Sequence, residues 1–398
     1  MGVSKQTSQI ATVPLGSLAN ISAGGTPNRK KPNYWQKGGI PWVTTSEVDY
    51  SVITSTKEQI SEEGLKNSAA KIFPKGTLLI ALYGQGKTRG QVGILGLDAA
   101  TNQACAAITP TADYDKKFLF YVLQSDYPRI RALSNSGGQE NLSGELIREI
   151  RIPAIRLIEQ RKIAHILQVW DEALEKLAVL RAAKEQRLGS LRATLLFGNL
   201  CTNGPRRQWT PTRLATVTHE LTGRNGANGL GRDYVMGVTK AQGVVPMREQ
   251  TIAGDISRYK RLPPRAFAYN PMRINVGSIA MNQRDEEVLV SPDYVVFACN
   301  ADGLDPGYLD HLRKTSWWAH YINSGGSGSV RQRTYYADLA ALKLPLPELD
   351  EQKAITEVLD TARGDLEATE REIKAVTRQK RGLMQKLLTG EWRVEMEE

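Results

Sequence analysis

A chain that carries one long stretch twice is constrained at once, because whatever that stretch packs against must also occur twice. Residues 152–198 and 344–390 align without a gap. Ile152-Pro153 matches Leu344-Pro345, Glu159-Gln160-Arg161 matches Glu351-Gln352-Lys353, and Leu195-Leu196 with Gly198 matches Leu387-Leu388 with Gly390. Apolar residues recur at 163, 167, 170, 174, 177, 188, 191 and 195 in the first copy, and at 355, 359, 362, 366, 373, 376, 383 and 387 in the second. A step averaging about 3.5 residues is that of a coiled-coil seam. Each copy therefore reads as a helix, with prolines before its start (Pro153; Pro345 and Pro347) and a glycine after its last apolar pair as boundary signals. Antiparallel pairing with matched ends puts Ile163 opposite Leu387, Leu167 opposite Leu383, Leu174 opposite Val376 and Leu191 opposite Leu359. The same register sets Arg181 against Thr369, Lys184 against Leu366, and Lys380 across the indole of Trp170.

The sequence around these helices is short-ranged and broken. Residues 1–12 are polar and read as frayed. The stretches 40–45, 77–82 and 92–95 read as strands separated by glycine turns, and 117–123 as a short helix. Residues 199–211 read as a linker, after which the same texture returns. Leu214 to Glu220 stands for Leu15 to Ile21, Ser278-Ile279-Ala280-Met281 for the strand near residue 80, Tyr308 to Leu312 for the short helix, and Asn323-Ser324-Gly325-Gly326 for Asn135-Ser136-Gly137-Gly138. The expected order is a globular domain over 1–151, a helix over 152–200, a second globular domain over 201–343 and a second helix over 344–398. The fold class is α+β: two mixed domains and two long helices, related by a pseudo-twofold tandem repeat. Two domains on one frame with different contents suggest two related recognition tasks.

Composition narrows the partners. No apolar run approaches the roughly 18–20 residues of a membrane span, and the N-terminus has no signal-peptide segment, so the expected location is the cytoplasm. Three cysteines and four histidines are scattered, with no zinc spacing. A net charge of +10 and a pI near 9.4 suit a polyanion.

The most tempting catalytic motif is Ala81-Leu82-Tyr83-Gly84-Gln85-Gly86-Lys87-Thr88, a relaxed phosphate-binding loop. Such a loop must open a helix, and Arg89-Gly90-Gln91-Val92-Gly93-Ile94-Leu95-Gly96 holds too much glycine and β-branched residue to be one. The alternative is a loop between strands presenting Tyr83, Gln85, Lys87, Thr88 and Arg89. Similar polar or basic clusters lie at Arg29, Lys30 and Lys31, at Gln139 and Asn141, at Arg224 and Asn225, at Asn282, Gln283 and Arg284, and at Arg331 and Arg333. These side chains are of the types that grip phosphates and read base edges. No catalytic constellation is present: Asn270-Pro271-Met272 is the nearest approach to an amino-methyltransferase motif and lacks its second proline and aromatic.

Leu15-Gly16-Ser17-Leu18, Gly24-Gly25-Thr26-Pro27, Tyr34-Trp35 and Gly39-Ile40-Pro41-Trp42 resemble the target recognition domain of type I restriction-modification specificity subunits. So does the helix entry Pro345-Leu346-Pro347-Glu348-Leu349-Asp350-Glu351-Gln352; the first copy, from Pro153 to Gln160, lacks the second proline. The resemblance implies a subunit without enzymatic activity, each domain reading one half of a split site in double-stranded DNA and the helices serving as an antiparallel spacer. It implies modification subunits, two of them, that bring S-adenosylmethionine and methylate adenine, and restriction subunits that use ATP and Mg²⁺ to cut. No cofactor or metal is expected on this chain and no membrane. A nucleotide hydrolase using residues 81–88, or a stand-alone two-domain DNA-binding regulator, are the alternatives.

Overall fold

In the computed structural model the described residues are 3–5, 10–35, 39–84, 86–133, 141–198, 209–227, 229–324 and 333–394. They form two compact units, Met1–Leu177 with Glu372–Glu398, and Ala178–Arg371. The boundaries fall inside the two long helices, Leu157–Leu195 and Leu349–Thr389, so each unit owns half of each. Gly198 and Gly390 follow the helices with positive φ, 66° and 77°, a conformation that ends a helix cheaply only for a residue without Cβ.

Among the described residues the first unit holds two larger sheets. One has the strand order Ala19–Ala23, Cys105–Pro110, Leu78–Ala81, Val92–Leu95, Val52–Ile53; the other runs Glu58–Ile60, Ile40–Val43, Ala99–Thr101, Ile72–Phe73. The second unit repeats both, the first with one strand fewer: Thr218–Glu220, Val295–Cys299, Phe267–Tyr269, Ile279–Met281, and Gly243–Pro246, Val235–Thr239, Val288–Val290, Lys260–Leu262. This order corrects the expected match around residue 80. Leu78 pairs with Ile108 and Phe267 with Phe297, at the same place in the sheet. The partner of the strand at 78–81 is thus Phe267–Tyr269, and Ile279–Met281 answers to Val92–Leu95.

Two further expectations give way. Two of the prolines before the helices, Pro153 and Pro345, sit in short strands: Arg151–Pro153 pairs with Thr12–Pro14, and Lys343–Leu346 with Thr210–Arg213. The end of the expected linker is therefore a strand, and its residues 199–208 lie outside the described ones. The N-terminus is not simply frayed, since Val3–Lys5 pairs with Trp392–Val394.

Within each unit a segment of one long helix packs antiparallel on a segment of the other. In the first, Ile163 and Leu167 share a buried cluster with Leu387 and Leu388; each such side chain contributes roughly 1.5–3 kcal/mol by burial. In the second, Leu188 and Leu195 share one with Ile355 and Leu359. The polar layers keep the expected neighbourhood but change partners. Arg181 reaches Glu370 at 2.9 Å and Lys184 reaches Thr369 at 2.9 Å and Asp365 at 2.7 Å. Lys380 bonds Asp171 and lies 5.3 Å from the ring centre of Tyr121, in place of a seat on Trp170: a carboxylate one residue along offers a full charge where an indole offers a quadrupole.

The repeated Glu-Gln pair has a structural reason. Gln160 is fully buried; its carbonyl accepts the Asp115 N–H at 2.7 Å, and its amide donates to the carbonyls of Asp113 at 3.2 Å and Ile155 at 2.9 Å. Gln352 does the same with Asp305 (2.8 Å), Gly303 (3.1 Å) and Pro347 (2.9 Å). Asp115 and Asp305 in turn cap the helices Lys116–Ser125 and Pro306–Leu312 by accepting from Phe118 and Tyr308, both at 2.9 Å.

Beyond the caps, the contents differ. Six residues after the first cap, Tyr121 donates to Asp171 at 2.6 Å. At the same place in the second unit His311 is buried, donating from Nε2 to Asp360 at 2.7 Å, while Arg192 donates to its Nδ1 at 3.3 Å. An arginine can only donate, so the imidazole is neutral with its proton on Nε2. Burial pushes its pKa down to about 4 against the pull of Asp360. Beside it the fully buried Asp310 binds Arg313 (2.5 Å), Lys314 (2.7 Å) and Arg363 (3.1 Å). Burial alone would raise that carboxyl, but Arg313 and Lys314 outweigh it and hold the group well below the usual range.

Asp310→Asn leaves three cations short of their anion and should cost the second unit about 3 kcal/mol at pH 7, measured by urea unfolding. Both groups have folded pKa values below their unfolded ones. The stability from His311 is complete above about 6.5 and is lost as pH falls toward 4, and that from Asp310 is lost at still lower pH. Wild-type stability should thus drop between pH 7 and pH 5, and His311→Gln should shrink the drop. Equal drops in both proteins would contradict this assignment.

Candidate nucleic-acid interface

The glycine-rich stretch after residue 81 is a hairpin tip. Leu78–Ala81 runs antiparallel to Val92–Leu95, and the Gly90 N–H returns to the Ala81 carbonyl at 2.9 Å. No helix follows it, so the backbone N–H groups are not gathered at a helix start and the phosphate-loop reading fails on geometry. Tyr83 and Lys87 are exposed, Thr88 and Arg89 half-buried, and Gln85 lies outside the described residues. The tip is held from two sides. The Leu142 N–H donates to the Leu82 carbonyl at 3.0 Å, which brings the exposed Asn141 alongside. The Tyr127 hydroxyl donates to the Lys87 carbonyl at 2.6 Å and accepts from Arg131 at 2.8 Å. Tyr83, Lys87, Thr88, Arg89 and Asn141 therefore form one patch; Gln139 lies outside the described residues.

The second unit builds the same clasp from residues that the sequence reading passed over. The Asn270 N–H bonds the Ser278 carbonyl at 3.2 Å, closing a tip over residues 271–277, and the Thr334 N–H donates to the Pro271 carbonyl at 3.1 Å. Leu82 and Pro271 are thus equivalent acceptors, Asn141 and Arg333 precede equivalent donors, and Tyr83 and Met272 follow equivalent acceptors. Arg333 is exposed and belongs to this patch, with Met272, Arg273 and Val276. The signal in the sequence for this tip is the spacing of the two Asn/Ser-capped apolar triplets 267–269 and 279–281.

Three clusters are built differently from expectation. Asn225 is buried, its amide donating to the Leu230 carbonyl at 2.9 Å and accepting from the Leu230 N–H at 2.7 Å. Asn282 is also buried, donating to the carbonyls of Leu262 and Glu286, both at 3.0 Å, and accepting from the Arg284 N–H at 3.1 Å. Both amides are spent on shaping their loops and cannot meet a base edge. Arg29 is exposed but engaged, bonding Glu58 at 2.5 and 2.9 Å with its guanidinium 3.7 Å from the Trp35 ring centre; the bond to Glu58 raises its pKa. Lys30, Lys31, Arg224, Gln283 and Arg284 are exposed. Lys31 reaches the Tyr34 hydroxyl at 3.1 Å and Arg224 the Arg258 carbonyl at 2.8 Å. Arg331 lies outside the described residues.

The Gly24-Gly25-Thr26-Pro27 motif is structural. A Cβ on Gly24 would stand 2.1 Å from Thr101 Oγ1 and one on Gly25 2.3 Å from the Ala69 carbonyl carbon, while the buried Trp42 donates to the Gly25 carbonyl at 3.0 Å. Among the described residues no group of His, Cys, Asp and Glu could hold a metal ion, and no helix is long and apolar enough to cross a membrane.

Comparison with known proteins agrees with this architecture. Residues 8–184 match the family model of the type I restriction modification DNA specificity domain. The MjaIX specificity subunit of Methanocaldococcus jannaschii is 30% identical over 171 residues, 40% of this chain and 38% of that protein. The EcoR124I/EcoR124II specificity subunit of Escherichia coli is 25% identical over 162 residues, 39% of this chain and 40% of that protein. The matches thus span about two fifths of the length of these relatives. The crystal structure of the type I restriction-modification S subunit from M. genitalium superposes with a TM-score of 0.59 at 15% identity, covering 97% of this chain and 96% of that one, and so shares the fold. Over residues 8–184 the chain is thus similar to type I restriction-modification specificity subunits.

Tyr127→Phe removes the hydroxyl that fixes the first tip and keeps the ring, which lies 5.9 Å from Tyr50. Amide exchange over residues 86–90 should quicken by about tenfold, as expected for a lost bond of about 1.4 kcal/mol, with exchange in the sheet strands unchanged. Unaltered exchange at the tip would show that the hydroxyl does not hold it.

Proposed function

We propose that this chain is the DNA-reading subunit of a type I restriction-modification complex, each unit reading one half of a split site. The observation that carries it is the doubled clasp: one frame presents a hairpin tip twice, with different side chains each time. Lys87, Arg89 and Asn141 in the first patch, and Arg273 and Arg333 in the second, are donors suited to phosphates and base edges. The net charge of +10 favours the same partner. The chain is non-catalytic in this reading. Methylation of adenine and ATP-dependent cleavage belong to modification and restriction subunits that carry S-adenosylmethionine, ATP and Mg²⁺, and the long helices set the distance between half-sites. Apolar side chains exposed on those helices, Ile158, Val169, Val179, Leu180 and Val358, support their use as docking surfaces for the modification subunits.

A phosphate contact leaves a specific trace in the salt dependence of binding. Lys87→Ala should weaken duplex binding by the full chain, and lower the slope of log affinity against log salt by about one unit. Binding unaffected by Lys87→Ala, or ATP turnover by the purified chain that Lys87→Ala abolishes, would overturn the assignment.

A further inference from the structure

The two tips differ at an equivalent position: the residue after the clasped carbonyl is Tyr83 in the first unit and Met272 in the second. Met272 is 50% exposed and Val276, on the far side of the same tip, 57% exposed. Exposed apolar side chains of this size are costly to leave in water, and these two are held outward by the local backbone. The Asn270 carbonyl oxygen of the side chain accepts the Met272 N–H at 2.9 Å, its backbone carbonyl accepts the Arg273 N–H at 2.9 Å, and the Val276 N–H bonds the Arg273 carbonyl at 3.2 Å. Cations surround them. Arg273 lies between them on the tip, Arg333 precedes the clasping Thr334, and Lys240 packs along Gly277, whose added Cβ would meet Lys240 Cγ at 3.1 Å.

An apolar contact framed by cations fits one feature of duplex DNA. The thymine 5-methyl group is the apolar mark on the floor of the major groove, and it lies between two phosphate backbones. From this geometry we infer that Met272, supported by Val276, reads a thymine methyl in the half-site of the second unit, while Arg273, Arg333 and Lys240 grip the flanking phosphates. The inference rests on the DNA-reading function proposed above and names the base feature that the second unit selects. In the first unit the equivalent Tyr83 offers a hydroxyl at its end, so the two half-sites should be selected by different chemistry.

Duplexes that the full chain selects from a randomised pool supply the probe, resynthesised with deoxyuridine in place of thymidine at each position in turn. This exchange deletes the methyl and leaves base pairing intact. At one thymidine of one half-site, deoxyuridine should weaken wild-type binding by about fourfold, the worth of one buried methyl group. Met272→Ala should bind the thymidine and deoxyuridine duplexes equally, whereas Met272→Leu should keep the discrimination. Met272 is half-exposed, so the alanine variant should unfold in urea as the wild type does. If no thymidine methyl matters, or if Met272→Ala weakens both duplexes equally while the fourfold difference persists, the inference is wrong although DNA reading stands. If the chain selects no sequence from the pool, the DNA-reading function itself fails and the inference with it.

Discussion

Both units hang on one buried glutamine. Gln160 and Gln352 each tie the start of a long helix to the aspartate that caps a shorter one, and to two further carbonyls, through three hydrogen bonds. Loss of either side chain would take this partner from an N–H and two carbonyls, at up to about 1–3 kcal/mol for each that water does not reach. The amide must supply an acceptor and two donor directions at once, which glutamine does and glutamate or leucine does not. This explains why the glutamine stands in both copies while residues around it differ. Once the helix start and the cap are locked together, the sheets can change content without losing their place on the frame.

The change of content is plain at matched positions. Tyr121 and Asp171 in the first unit give way to His311, Asp360 and Arg192 in the second, beside the cluster around Asp310. The same docking problem is solved once with a phenol and a carboxylate, and once with a neutral imidazole and a buried ion network. The hairpin tips differ in the same way: a glycine-rich loop tied down by Tyr127 in one, a short helical turn ending at Gly277 in the other. A frame that is conserved in geometry and varied at its tips is what recognition of two unlike targets requires.

The frame was legible in the sequence because long helices announce themselves through period and repetition. Leu157–Leu195 and Leu349–Thr389 contain every apolar position read from the sequence, and their antiparallel neighbours follow from matching the ends. The exchange of Trp170 for Asp171 as the partner of Lys380 was not legible, since a one-residue rotation decides it. In the globular parts, strands of three to five residues are too short to fix their own order, and the match for residue 80 slipped by one strand. Asn225 and Asn282 were drawn to the candidate site by residue type, whereas burial turned them into loop braces. Arg333 was found by type, but its companions Met272 and Val276 were not, because an apolar residue in a loop carries no sign of exposure until the fold places it.

In the function proposed, one frame used twice with unlike tips reads two unlike blocks of DNA at a set distance. Sequencing the duplexes retained by the full chain together with a modification partner, from a pool randomised throughout, tests this most directly. The expected result is two short blocks of different sequence separated by a constant number of unspecified base pairs. A single continuous block, a palindrome, or two blocks at variable separation would contradict it.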